Sequence, residues 1–221
     1  MNGRVHRALA LCGLIGPAAF TAAWVLGTVR QPGYSVAHEH ISGLAAPDAD
    51  NPAVMTVGFL ALGTATVGFA AALEERLGGK GSAKGPVKAS AGLGPGLIGA
   101  SGVAMVVAGL FRRDRMSNHP EPGQAPGQSE INDVHDAASV VGALTSSMGL
   151  FALAARLRRE PGLEDLARPT MVAAAAGSGL LAWFARGVTR PGNGLVQRAG
   201  VTIPLLLRAR LAIRLLRTDD G

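Results

Sequence analysis

Residues 8–29, 52–73 and 89–111 of this chain contain no Asp, Glu, Lys or Arg. A bilayer core about 30 Å thick is crossed by roughly 20 apolar residues in a helix, and each stretch reaches that length. Residues 137–155 and 169–185 are slightly shorter and still adequate to span. Only 16% of all residues are charged, against about 25% in an ordinary soluble domain. The deficit is concentrated in these runs, which defines a polytopic all-α membrane protein. The first run follows Arg4 and Arg7 and resembles a secretory signal, but cleavable apolar cores are only about 7–15 residues long. It is therefore expected to be retained as a helix. Cys12, the single cysteine, lies within it and has no partner for an internal disulfide; a packing role suits it.

The connectors differ in charge. Arg4 and Arg7 precede the first run, Arg76, Lys80, Lys84 and Lys88 follow the second, and Arg156, Arg158, Arg159 and Arg168 follow the fourth. Arg208, Arg210, Arg214 and Arg217 close the chain, so these positions hold the larger share of the 21 basic residues. Lys and Arg accumulate on the cytoplasmic side, which puts both termini inside and requires six helices. Their expected extents are residues 8–29, 53–75, 89–111, 135–155, 169–186 and 195–216, in one domain. Trp24 and Trp183 then fall at outer ends, where Trp favours the headgroup level. The sixth helix is the least apolar; it spans if Arg198 snorkels outward and Arg208 inward. The basic residues lie in membrane connectors, so nucleic acid is not an expected partner despite a pI near 10.6; membrane lipids are. A homo-oligomer is not indicated. Gly92, Gly96, Ala100, Ala104 and Ala108 form an i+4 ladder of small residues that suits close helix packing.

Two polar connectors face outward under this topology: residues 30–52 and the stretch "FRRDRMSNHPEPGQAPGQSEINDVHDAAS" at 111–139. They carry His38, His40, His119 and His135, with Asp114 at the end of the third helix. Neutral imidazoles and a carboxylate are suitable zinc ligands, and a zinc-bound water can attack an outer-leaflet ester or amide. The plain alternative is that these polar groups order the outer loops against each other, with Asn132 or Asp133 capping the fourth helix. No HExxH or CxxC spacing occurs. "GLGPGLIG" at 92–99 lacks a following GK[ST], which removes nucleotide binding. Carboxylates of the kind that relay protons are missing from the interior of the first five spans; Glu74, Glu75 and Asp136 lie at span ends.

The stretch from Gly13 to Gly63 resembles the start of the bacterial domain-of-unknown-function family numbered 998. The matching residues are Gly16-Pro17, Trp24, Pro32-Gly33-Tyr34-Ser35 and Ile41-Ser42-Gly43-Leu44, then "AGLFRRD" (108–114), "VHDAAS" (134–139) and "NGLVQRAG" (193–200). The resemblance implies six helices in a bacterial inner membrane and an unassigned biochemical role. The family is distantly similar to six-helix proteins of the Frag/DRAM/Sfk type, some linked to lipid remodelling. It is more loosely similar to intramembrane hydrolases that use Ser, Asp and His around zinc, which would carry catalysis to Ser42, Asp114 and His135. The HxxxH pair those hydrolases place on a late helix does not occur here. Three classes of function follow: a non-catalytic protein binding lipid or a partner through its outer loops, a metal-assisted hydrolase or lipid-remodelling enzyme at the outer face, and a carrier of a neutral or lipidic substrate.

Overall fold

The computed structural model describes residues 2–78, 92–117, 129–187 and 189–218. The described residues form six α-helices: α1 (Gly3–Arg30), α2 (Pro52–Gly78), α3 (Leu93–Leu110), α4 (Glu130–Leu157), α5 (Ala167–Ala185) and α6 (Asn193–Thr218). Short 3-10 turns cover Ile41–Ala45 and Glu164–Leu166, and no strand occurs among the described residues. The helices α1 to α4 are long and apolar enough to cross a membrane.

Each helix packs on its neighbours in sequence, and α6 returns to pack on α1, which closes the ring. The helices alternate in direction, so the bundle has two chemically distinct ends. One holds the start of α1, the end of α6 and the α4–α5 turn; we call it the terminal end. The other, the loop end, holds the α1–α2 loop and the segment after α3.

Backbone proximity comes from glycine. A Cβ on Gly63 of α2 would lie 2.6 Å from the Gly102 carbonyl oxygen of α3, and one on Gly102 would lie 2.7 Å from the Gly63 carbonyl. Gly13 of α1 is similarly close to Phe69 and Ala212, both at 2.7 Å. Lipid offers no hydrophobic gain for helix association, so such intimate van der Waals contact must supply it. The i+4 ladder of α3 is split by this packing: Ala104 and Ala108 are buried, whereas Gly96 and Ala100 are exposed. The glycines pressed against neighbours are instead Gly94, Gly102 and Gly109, because a 3.6-residue helix drifts off a strict fourfold spacing.

Several helices outrun their expected limits. α1 begins at Gly3, where the Asn2 side chain accepts the Arg4 amide, and α4 begins at Glu130 with Ser129, rather than Asn132 or Asp133, as its cap. The added turns are polar, so hydropathy alone hides them. At the terminal end, Glu160 sits between Arg76 (2.6 Å) and Arg156 (2.7 Å), and Arg214 meets Asp165 at 3.0 Å. These ion pairs tie α2, α4 and α6 to the turn before α5.

Candidate functional site at the loop end

Residues 31–51 do not trail into solvent. Ile41, Leu44 and Ala45 of the 3-10 turn are at most 3% exposed and join Phe20, Met55, Phe59, Leu62 and Leu205 in one apolar cluster. Leu44 packs where a Cβ on Gly27 would sit at 3.2 Å. The loop thus plugs the mouth of the helix ring. A plug of backbone must have its polar groups satisfied, and α6 does much of this. The Arg198 guanidinium donates to the carbonyls of Val36 and Glu39 at 2.9 Å and of Gly194 at 3.0 Å, and also to the Tyr34 hydroxyl. Tyr34 in turn donates to the His40 carbonyl at 2.9 Å. Gln197 accepts the Ile41 amide at 2.8 Å. Arg198 also lies over the rings of Trp24 and Tyr34, 5.5 and 5.6 Å from their centroids. It does point toward the loop end, but it is only 6% exposed and serves as an internal clamp.

The segment after α3 is stitched to the same plug. The Arg113 side chain donates to His40 Nδ1 at 3.2 Å, Ser117 donates to Glu39 at 2.9 Å, and the Met116 amide donates to Asp48 at 2.7 Å. Burial pushes the Arg113 guanidinium below its ordinary value, an effect opposed by Asp136, Glu39, Asp114 and Asp48. Burial likewise pushes the Tyr34 phenol up, opposed chiefly by Arg198.

Asp114 and His135 work at two helix ends. Asp114 accepts both the amide and the hydroxyl of Ser129, and the Ser129 oxygen accepts the Asn132 amide at 3.2 Å. The hydroxyl bond, then the amide bond, holds the Asp114 carboxyl below the usual carboxylate range. A negative charge there also suits the positive end of the α4 dipole. His135, 1% exposed, donates from Nδ1 to the carbonyls of Ala108 (2.8 Å) and Phe111 (2.9 Å). These are carbonyls at the end of α3, which lack intrahelical donors. His135 thus caps α3 from α4, while Asp114 anchors the start of α4 from the segment after α3. Asn193 does the same for α5, donating to the carbonyls of Phe184 and Gly187.

The six residues expected to carry chemistry are distributed as follows. No hydrogen bond links Ser42, Asp114 and His135 to one another; Ser42 is buried in the plug. His38 Nδ1 accepts the Gly192 amide at 3.1 Å, and His40 Nδ1 faces the Arg113 cation while its ring lies 4.7 Å from that of Phe184. His119 lies outside the described residues. Zinc needs lone pairs converging at about 2 Å. Here each oxygen of Asp114 already accepts a bond from Ser129, and a guanidinium stands beside His40. Among the described residues no three His, Cys, Asp or Glu side chains are grouped to hold a metal ion.

A profile of the proteins of unknown function DUF998 matches residues 14–214, nearly the whole chain. The chain belongs to the DUF998 family. No curated protein and no solved structure matches it. In this DUF998 member sequence reasoning did not place Gln197, Asn193, Glu39 or Arg113 at the site, and it read Arg198 only as snorkelling outward. Their signal was an arginine near the start of an otherwise apolar helix: a cation there must find acceptors, and the nearest are loop carbonyls.

Proposed function

We propose that this DUF998 member is a six-span protein of the bacterial cytoplasmic membrane, both termini inside, that works by binding rather than catalysis. Its loop end faces outward and engages the headgroups of anionic lipids. Six spans are supported by the closed ring, in which α5 and α6 lie side by side with four helices of spanning composition. At roughly 1.5 Å per residue, the 26 residues of α6 are long enough. The topology rests on charge: the basic connectors gather at the terminal end, which the positive-inside tendency puts in the cytoplasm.

The observation that carries the binding reading is the rim mounted on the plug. Trp183 is 56% exposed at the loop end of α5, with Arg186 and Arg190 exposed just beyond it and Arg30 exposed at the end of α1. Trp at the headgroup level, at the same end as exposed guanidinium groups, suits a phosphate-bearing surface. The plug beneath is already ordered by its internal hydrogen bonds, so little entropy is lost when a headgroup docks. The test is thermal unfolding of detergent-purified protein with added phosphatidylglycerol or phosphatidylcholine. The anionic lipid should stabilise more, and an Arg30→Ser, Arg186→Ser, Arg190→Ser triple variant should lose most of the difference. Equal stabilisation by both lipids, or an unchanged difference in the triple variant, would refute the reading.

A further inference from the structure

Arg208 was expected to snorkel toward the terminal end, and it does not. It lies roughly 22 Å from the start of α6 and about 15 Å from its end, close to mid-depth. Its side chain turns across the ring to Thr66 of α2, whose hydroxyl accepts from Nη1. Thr66 is able to accept because its own proton is committed to the Leu62 carbonyl at 2.6 Å. Thr66 is also near the middle of its helix, about 21 Å from the start of α2. Arg208 is 8% exposed and Thr66 is 2% exposed.

The guanidinium has five N–H donors and cannot shed its charge. Among the described residues, Thr66 is its one hydrogen-bond partner, and no carboxylate stands within ion-pair distance. The other buried arginines hold more oxygens: Arg156 holds Glu160 and the Leu77 carbonyl, and Arg198 holds three carbonyls and a hydroxyl. Those two, and Arg113, each enclose an unpartnered Nε; neither Nε nor Nη2 of Arg208 is enclosed in this way. That side of the Arg208 fork thus has donors to spare and is not sealed by protein partners. Two helix prolines also stand nearby. Gly13 faces Ala212 across the antiparallel α1–α6 contact, so one turn further on Pro17 of α1 stands level with Arg208. Pro17 removes a helical donor, as Pro204 does one turn away in α6. An intramembrane cation is retained at substantial cost, and such residues mark functional positions in membrane proteins.

We infer that Arg208, steadied by Thr66, is a mid-membrane site for one oxyanion, a phosphate or carboxylate group. This site is separate from the loop-end rim and does not depend on it. The anion supplies the counter-charge that the protein withholds, and the planar fork receives two of its oxygens. The ligand comes either from a membrane amphiphile, whose headgroup enters between helices, or from a soluble anion.

The test compares wild type, Arg208→Met and Thr66→Val in detergent, with inorganic phosphate, phosphatidic acid or a long-chain fatty acid added. Unliganded Arg208→Met should melt above wild type, because a buried uncompensated charge has been replaced by an apolar chain of similar reach. At about 100 times Kd, a ligand of this site should raise the wild-type midpoint by roughly 5–10 °C and leave Arg208→Met unmoved. Thr66→Val should fold and bind at least tenfold more weakly. A response to phosphate identifies a soluble anion, and a response only to the two amphiphiles identifies a lipid. The inference fails if none of the three stabilises wild type, or if the stabilisation persists in Arg208→Met. It also fails if Arg208→Met is destabilised or does not fold, since Arg208 is then only a strut to Thr66. The Arg30, Arg186, Arg190 triple variant should retain this response, which separates the two sites.

Discussion

Replacing His135 separates its capping role from a chemical one. In the folded protein its Nδ1 proton serves two carbonyls at the end of α3, and its ring meets Phe59 edge-on at 6.1 Å. His135→Ala removes the donor and most of the ring from a site with 1% exposure. Leaving a buried acceptor unpaired costs about 1–3 kcal/mol, and truncating a buried ring to a methyl adds about 2 kcal/mol of lost packing. The total is about 3–5 kcal/mol. His135→Asn places an amide nitrogen close to the former Nδ1 and recovers the donor, leaving a deficit of about 1–2 kcal/mol from lost volume. For a chain of this size 1 kcal/mol corresponds to about 2–4 °C. His135→Ala should therefore melt about 6–20 °C below wild type, with His135→Asn recovering more than half of the loss. Tryptophan-fluorescence melting in detergent measures both. Equal midpoints for the two variants, or neither differing from wild type, would refute the capping argument and return His135 to the candidates for chemistry.

Arg198→Ala should open the plug: it strips four acceptors of a charged donor, each such bond being worth about 1.5–3 kcal/mol before relaxation and water entry. Limited proteolysis should then cut within residues 31–51 at a rate at least tenfold above wild type, while Arg198→Lys should recover part of the protection. Gly63→Ala should destabilise by about 1–3 kcal/mol, because its Cβ would meet backbone at 2.6 and 2.8 Å, whereas Gly96→Ala, with nothing within 4 Å, should be neutral or gain up to about 1 kcal/mol in helix propensity; thermal unfolding distinguishes the pair. Asp114 has a depressed pKa in the folded state, so its stabilisation is fully present above the unfolded carboxylate value of about 3.9 and fades as pH falls through the lower folded value. An Asp114→Asn variant should accordingly show a shallower loss of stability on acidification than wild type, measured by melting in detergent between pH 6 and 3.

The helices were legible because a bilayer leaves only one way to satisfy a continuous apolar backbone. Their polar ends were less so: the first turns of α1 and α4 carry Arg4 and Asp133, and hydropathy stops where water begins. The site was legible in part. His40, Asp114 and His135 were singled out for chemistry, and the structure gives His135 and Asp114 helix ends to complete. A polar residue beside a helix end serves either purpose, and only the position of its partner distinguishes them. Arg198 and Arg208 illustrate the same limit. Both were expected to snorkel toward water, yet each found oxygen nearby, Arg198 in the loop carbonyls and Arg208 in Thr66. That choice depends on which helix lies opposite, information that a single span does not contain.

Everything proposed for the loop end depends on its lying across the membrane from the α4–α5 turn. With Cys12, the single cysteine, replaced by serine, cysteines placed at the exposed positions Asp50 and Arg159 report this directly. An impermeant maleimide applied to intact cells should label the Asp50→Cys protein and should reach Arg159→Cys only after permeabilisation. Labelling of both positions from the same side would contradict the account.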